Sequence, residues 1–167
     1  MAAGATYEPI ATTILGSSAS TITLSSIPST YTDLVLTANY EASSAAASGG
    51  IQLNGDTTAG NYFFEHLANM GSSATGGERV GNRGWLNWKY GSTTNTSNIF
   101  EMHILQYANT SISKTALMRG GNTAHNELLV GRWNSTAAIN SITLDGSYGG
   151  FNFLSGATVT LWGITKA

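Results

Sequence analysis

The chain has 167 residues, about the length of one domain, and only 10% of them are charged, against about 25% in a typical domain. Lysine and arginine number 7 and aspartate and glutamate 9, a formal charge of -2, which excludes the broad basic surface of a nucleic-acid-binding protein and a polybasic membrane patch. There is no cysteine, so neither disulfides nor thiol chemistry can hold the fold together. The first ten residues lack the basic and apolar regions of a signal peptide, and no apolar run approaches the ~18 residues that cross a membrane. We therefore expect one soluble domain over residues 1–167.

The first half of the chain predicts a series of short strands. Residues 10–15 and 20–25 predict an N-terminal hairpin, because apolar and polar residues alternate on either side of a small turn. Residues 32–40 predict a central strand, because its even positions form a mainly apolar face, made up of Leu34, Leu36, Ala38 and Tyr40.

Turn residues then shape the middle of the chain. Residues 41–50 are small and polar and predict a loop. Residues 51–53 resume a strand, and Asn54-Gly55-Asp56 predicts a hairpin turn to a return strand at 61–67, because Asn and Gly both tolerate positive φ. Residues 69–84 predict the longest irregular stretch, and loops of this length tend to be functional or mobile.

The second half is more regular. Alternation predicts strands at 99–107, 114–119, 127–133, 139–144 and 158–164. The whole pattern of about ten short strands, Gly-rich turns and no amphipathic helix predicts an all-β fold, a jelly-roll-like antiparallel β-sandwich. The apolar run at 158–164 predicts that this strand lies inside a sheet.

Catalytic and metal-binding motifs are absent from the sequence. The nearest approach is Glu101 with His103, which share a strand face, but a zinc site needs three or four converging ligands. We expect this pair to lie on a solvated or subunit-facing sheet surface, with no metal and no cofactor bound. Asp56 and Asp145 lie in Gly-containing turns, where Asp is favoured for backbone reasons, so calcium is not indicated.

Aromatic residues and arginines cluster in the middle of the chain. Arg79 and Arg83 precede Trp85, Trp88 and Tyr90, and such residues often form the centres of protein interfaces. Three interpretations stay open for the aromatic residues: core packing, a protein interface, or stacking on sugar rings. Trp133 and Trp162 lie in apolar strands and are predicted to be core.

Several short segments together resemble a known group. They are Tyr7-Glu8-Pro9-Ile10-Ala11 with Thr12 and Thr13, residues 26–36 (SIPSTYTDLVL), Asn54-Gly55-Asp56 with Asn61-Tyr62, residues 139–144 (INSITL), and Leu161-Trp162-Gly163-Ile164. This pattern resembles small β-sandwich virion proteins of tailed bacteriophages, cyanophages included. Residues 71–96 match nothing in it.

The resemblance implies a structural role without catalytic residues. It implies a capsid decoration (cement) protein at the capsid surface of the virion, a homotrimer that binds the major capsid protein and is assembled in the host cytoplasm. The compact size favours this over the alternative, a tail or head-fibre tip that recognises host surface glycan. The possible protein interface then includes Arg79, Arg83, Trp85, Trp88, Tyr90, Glu101 and His103. A third hypothesis, a free carbohydrate-binding module or hydrolase fragment, has only Glu101, Glu127 and Asp145 as candidate carboxylates.

Overall fold

Strands dominate the regular structure. The computed structural model describes residues 6–45, 48–70, 73–88 and 96–165, and for residues 70 and 73–83 it describes the backbone alone. The strands are β1 (Tyr7–Ile14), β2 (Thr21–Leu24), β3 (Asp33–Tyr40), β4 (Gly49–Leu53), β5 (Tyr62–Met70), β6 (Ser73–Arg83), β7 (Leu86–Trp88), β8 (Asn98–Leu105), β9 (Lys114–Gly121), β10 (His125–Trp133), β11 (Ile142–Asp145) and β12 (Thr158–Ile164). One 3₁₀ turn, Ser147–Gly149, follows β11. Within the described ranges, no helix has the length and apolarity to cross a membrane.

The strands form two antiparallel sheets. The larger sheet has eight strands in the order β1-β12-β3-β8-β9-β10-β5-β6, and the smaller has four in the order β2-β11-β4-β7. The predicted fold class, an all-β, jelly-roll-like antiparallel sandwich, is confirmed, with a few more strands than expected. The strand at 158–164 lies between β1 and β3, as its apolar run predicted.

Strand β3 lies inside the larger sheet and buries the face that its alternation predicted. It pairs with β12 on one side and β8 on the other. Leu34, Leu36 and Ala38 are buried with at most 1% of their surface exposed. Burial of a leucine side chain contributes roughly 1.5–3 kcal/mol, so Leu34 and Leu36 make β3 an anchor for one side of the core.

Aromatic rings fill the core around Tyr40. The ring centroid of Tyr40 lies 5.1 Å from that of Phe153, 6.0 Å from that of Phe151 and 6.4 Å from that of Trp88. The indole Nε1 of Trp88 donates to the Tyr40 hydroxyl at 2.9 Å. This bond satisfies a buried donor that would otherwise destabilise the core. Burial raises the pKa of Tyr40, so its hydroxyl stays protonated.

The predicted N-terminal hairpin is wrong. β1 pairs with β12 in the larger sheet, whereas β2 pairs with β11 in the smaller sheet. The short segment between them crosses from one sheet to the other, held by Leu15 N–H donating to Ala157 O at 2.9 Å and Ala19 N–H donating to Phe153 O at 3.0 Å. A short connection in a sandwich can therefore bridge sheets instead of closing a hairpin.

The turn at Asn54-Gly55 exists, but it does not close a hairpin either. Asn54 and Gly55 have positive φ angles of 54° and 64°, as the sequence predicted. However, β4 pairs with β11 and β7, and β5 belongs to the larger sheet. The Asn54 side chain ties the turn to the segment before β11, because its Oδ1 accepts from the N–H of Asn140 and its Nδ2 donates to Ala138 O, both at 2.8 Å.

Two further predictions are corrected. Most of the stretch 69–84 is not a loop, because β5 extends to Met70 and pairs with β6, an edge strand with two register shifts. Pairing of its backbone with β5 compensates for its many small and polar residues. Trp162 is half-buried and lies on the outer face with Thr160, while Val159 and Leu161 point into the core. Trp133 is core, as predicted, with 3% exposure.

Candidate functional site

The outer face of the larger sheet carries a cluster of exposed apolar side chains. Leu117 on β9 lies opposite Val130 on β10, and Leu128 on β10 lies opposite Leu67 on β5. Their exposed fractions are 47%, 51%, 44% and 57% in that order. Because directly paired side chains on one face of a sheet touch, these four residues form one continuous surface. We call it the apolar patch.

The apolar patch arises because β9 and β10 are apolar on both faces. Ala116, Met118 and Leu129 point inward and are buried, while their neighbours Leu117 and Leu128 point outward. Single exposed apolar side chains are normal, whereas contiguous ones mark contact sites for other molecules. Six of the ten large apolar side chains exposed in the described part of the chain lie on the outer faces of β5, β8, β9 and β10: Leu67, Ile99, Leu105, Leu117, Leu128 and Val130.

Charged groups surround the apolar patch on the same face. Arg119 pairs with Glu101 at 3.0 Å, with both side chains well exposed. His103 Nε2 lies 3.1 Å from Asp33 Oδ2, and the guanidinium of Arg132 lies 4.7 Å from the centroid of the Phe63 ring. Exposed ion pairs contribute at most about 1 kcal/mol to stability. At the rim of an interface such charges instead select the partner and its orientation.

A groove of about 820 Å³ adjoins this rim. Gly120 and Gly121 form part of its floor, and Ile99, 61% exposed, forms one wall. A Cβ atom on Gly120 would lie 2.6 Å from Phe100 Cβ, and one on Gly121 would lie 2.4 Å from His125 O. Larger residues are therefore excluded, and the groove stays open between the Glu101–Arg119 pair and the loop before β10. Side chains that project from a partner protein commonly fill grooves of this kind.

Glu101 and His103, two residues of the predicted interface, lie on this outer face, opposite the buried Phe100 and Met102 as expected. Their polar partners differ, since Glu101 binds Arg119 and His103 binds Asp33. They therefore do not converge on one point. Across the described residues, no group of three or more His, Asp or Glu side chains could hold a metal ion.

The aromatic and arginine residues of the predicted interface do not form one surface. Trp88 is 1% exposed, so its core interpretation is correct and its place in the interface is withdrawn. Trp85 is half-buried against Tyr148 on the other side of the sandwich, beside the smaller sheet.

Arg79 and Arg83, the two arginines of the predicted interface, lie on β6. The backbone of β6 places Arg79 opposite Glu65 and Arg83 opposite Tyr62, at the edge of the larger sheet. Tyr90 lies outside the described residues. The arginines and tryptophans of the predicted interface are thus divided between three places. Trp88 lies in the core, Arg79 and Arg83 lie at the sheet edge, and Trp85 lies on a second surface.

Sequence reasoning missed the apolar patch itself. The signal was the run Leu128-Leu129-Val130, in which a strand with one polar face should alternate and does not. Three consecutive apolar residues in a strand place apolar side chains on both faces of the sheet.

Comparisons with known proteins do not assign this chain to a family. No protein-family model matches the sequence, and no curated protein matches it. Among solved structures, the chain is similar to the galectin LEC-6 of Caenorhabditis elegans, with 11% identity over 93% of this chain and 96% of that one, at a TM-score of 0.37. It is also similar to the PL-14 alginate lyase of Aplysia kurodai, with 12% identity over 84% of this chain and 72% of that one, at a TM-score of 0.34. At TM-scores this low, neither likeness carries an argument about this chain.

Proposed function

We propose that this protein is a capsid decoration protein of a tailed bacteriophage, which docks on the major capsid protein through the outer face of its larger sheet. The observation that carries the proposal is the apolar patch of Leu67, Leu117, Leu128 and Val130. Leaving these side chains in water costs roughly 25 cal/mol per Å² of apolar surface, which a partner would recover.

The composition supports a partner that is itself a protein. With 10% charged residues, the outer face brings few charges that must lose their water on docking. Interfaces of this type have an apolar centre and a polar rim, and the Glu101–Arg119 pair and Asp33–His103 pair fit such a rim. The sequence resemblance to small β-sandwich virion proteins implies either a capsid protein or a fibre tip, and the compact size of the chain favours the capsid. We propose a homotrimer, because several copies bound together would offset weak individual contacts.

Binding to heads of the phage that encodes this chain tests the proposal. Purified protein is added to expanded capsids that lack it, and cosedimentation and light scattering report binding and subunit number. We expect a trimer that binds, and at least tenfold weaker binding for Leu117→Glu and Leu128→Glu. A monomeric protein that ignores the capsids would overturn the proposal.

The matched control is Ile14→Glu. Ile14 is 67% exposed and lies on β1, four strands from β9, about 19 Å away. This variant adds the same charge to the same sheet and should bind as the parent protein does. Equal binding by the two patch variants, with unfolding temperatures unchanged, would exclude the apolar patch as the docking surface.

A receptor-binding tip that recognises host glycan is the second candidate function. The specific observation in its favour is the half-buried Trp85, which lines a small pocket on the smaller sheet. Loss of phage adsorption with intact particle stability in a Trp85→Ala phage would favour this role over capsid decoration.

A further inference from the structure

A second surface of the molecule forms a small polar and aromatic pocket. It holds about 250 Å³ on the outside of the smaller sheet and is lined by Gly50, Gln52, Trp85, Asp145, Ser147 and Tyr148. We infer that this pocket binds a single neutral sugar ring. The inference deepens the second candidate function, because this is the Trp85 pocket, by naming the ligand class. It is independent of the capsid role, because the pocket and the apolar patch lie on different sheets.

The 3₁₀ turn after β11 holds Tyr148 in place. Asp145 Oδ1 accepts from the Ser147 N–H at 2.9 Å, from the Ser147 hydroxyl at 2.5 Å and from the Tyr148 N–H at 3.4 Å. Gly149, the last residue of the turn, packs so tightly that a Cβ atom there would lie 1.8 Å from Ser48 O. The turn is therefore anchored at both ends, and Tyr148 is preorganised before any ligand arrives.

Trp85 and Tyr148 form an aromatic wall. Their ring centroids lie 4.2 Å apart, with the ring planes inclined by 52°. The indole packs over Gly50, where a Cβ atom would lie at an ordinary contact distance of 3.4 Å from the Trp85 ring. The Trp85 Nε1 is buried without a hydrogen-bond partner in the described part of the chain, so Trp85 offers ring carbons rather than this donor. Tyr148 is 38% exposed and gives an apolar surface open to solvent.

Polar groups stand beside this wall. In the smaller sheet, Gln52 lies opposite Thr143, and Asp145 lies opposite Gly50 on the neighbouring strand. The Gln52 amide and the Asp145 carboxylate can accept hydrogen bonds from hydroxyl groups, and the amide can also donate. An apolar surface with a few placed polar groups is the usual composition of a small-molecule site. The C–H face of a sugar ring fits the aromatic surface, and its hydroxyls fit the polar groups.

Two other ligand classes suit the pocket less well. An alkylammonium group could lie over the exposed face of the Tyr148 ring. However, Asp145 Oδ1 already accepts three hydrogen bonds from its own turn, which favours a neutral ligand, and the choline probe below distinguishes the two. A phosphate or carboxylate would meet the Asp145 carboxylate, and like charges repel. The volume is just under the 300–1,000 Å³ of pockets for drug-sized ligands, which suits one ring.

Saturation-transfer NMR on the purified chain tests the inference. The probes are glucose, galactose and N-acetylglucosamine, each added separately, with choline chloride as a cationic probe. We expect transfer to the ring C–H protons of at least one sugar, and at least a tenfold weaker affinity for Tyr148→Ala and for Gln52→Ala. No transfer to any of the three sugars, or transfer to choline alone, would overturn the inference.

Control variants separate this site from the others. Tyr7→Ala removes a 54% exposed tyrosine on β1 of the larger sheet and should leave sugar binding unchanged. Leu128→Glu should also leave sugar binding unchanged, so that failure of the capsid proposal does not affect this test. Equal sugar binding by Tyr148→Ala and the parent protein, with both folded by circular dichroism, would exclude the pocket as the site.

Discussion

The indole Nε1 of Trp133 donates to the carboxylate Oδ2 of Asp56 at 2.7 Å, which ties β10 of the larger sheet to the turn that follows β4 of the smaller sheet. Asp56 also accepts from the Thr58 N–H and from Asn61 Nδ2, each at 2.8 Å. Burial by itself would raise the pKa of Asp56, but these hydrogen bonds outweigh it and lower the pKa to about 2. Through these hydrogen bonds the ionised carboxylate is a non-covalent cross-link between the two sheets of the sandwich.

Acid should weaken this cross-link. The folded-state pKa of Asp56, about 2, lies below its ordinary value of 3.8, so the folded state binds fewer protons than the unfolded state. The contribution is complete above about pH 4 and is lost as the pH falls through 2. Because solvent partly screens the group, we expect on the order of 1 kcal/mol. Urea unfolding at a series of pH values measures it, and Asp56→Asn should lack this component. An identical pH dependence in both proteins would contradict the assignment.

Replacing Trp133 by Phe should remove the donor and keep an aromatic ring beside Tyr62, whose ring centroid lies 6.4 Å away. We expect a loss of about 1.5–3 kcal/mol in the free energy of unfolding, the usual contribution of a hydrogen bond to a charged group. A double-mutant cycle with Asp56→Asn isolates the pair, and we expect a coupling above about 0.5 kcal/mol. Trp162→Phe, at a half-buried position of the outer face, is the control and should cost less. Additive effects of the two cross-link variants would show that the bond contributes nothing.

A methyl group at Gly49 should destabilise the core. A Cβ atom there would lie 2.1 Å from Trp88 Cζ2, and the Trp88 ring is held by its bond to Tyr40. We expect Gly49→Ala to cost about 1–3 kcal/mol, as overpacked cores do. Gly16→Ala is the matched control, because a Cβ at Gly16 meets nothing within 4 Å. Thermal unfolding measures the melting temperatures of both variants. Equal values would contradict the close packing of Trp88 on Gly49.

Lys114 is a buried cation whose ammonium group joins the loop before β9 to the loop after β10. Its Nζ donates to Asn109 O at 2.5 Å, Ile112 O at 2.9 Å and Thr136 O at 3.2 Å, and 1% of the residue is exposed. Burial lowers the pKa of Lys114. Lys114→Met keeps the length of the side chain but leaves three carbonyls without this donor.

We expect Lys114→Met to lower the free energy of unfolding by about 1–3 kcal/mol, the cost of unsatisfied buried polar groups. The control is Arg119→Met, which removes a positive charge from a side chain that is 72% exposed and should change stability by less than about 0.5 kcal/mol. Denaturant midpoints at neutral pH compare the two. Similar losses in both would mean that net charge matters more than the carbonyl contacts.

Local patterns predicted which residues face the core, but not which strands pair. Alternation in β8 correctly placed Glu101 and His103 on the face opposite the buried Phe100 and Met102, because side-chain direction in a strand depends only on position. Pairing depends on distant partners, and so both predicted hairpins failed. The prediction that Trp162 is core rested on the apolar character of β12. Its position indicates the opposite, because Trp162 lies two residues from Thr160 and therefore shares the outward face with it.

The candidate sites were less predictable than the fold. Glu101 and His103 were placed on the correct face, but the leucines around them were read as ordinary strand residues. The Trp85 pocket joins residues from β4, β11 and the 3₁₀ turn, which lie up to about 100 positions apart in the chain, so Tyr148 could not be linked to Trp85 without the topology. Sites built by long-range pairing leave almost no trace in a single sequence.

The position of β12 between β1 and β3 has a consequence for biosynthesis. Thr12 on β1 meets Thr160 on β12, 148 positions later, and β1 has no other partner strand among the described residues. During translation the backbone groups of β1 therefore stay unpaired until the ribosome has released residues 158–164. Such distant contacts slow folding. A nascent chain stalled before residue 158 would expose two open strand edges, and we expect it to be a ready substrate for chaperones or proteases.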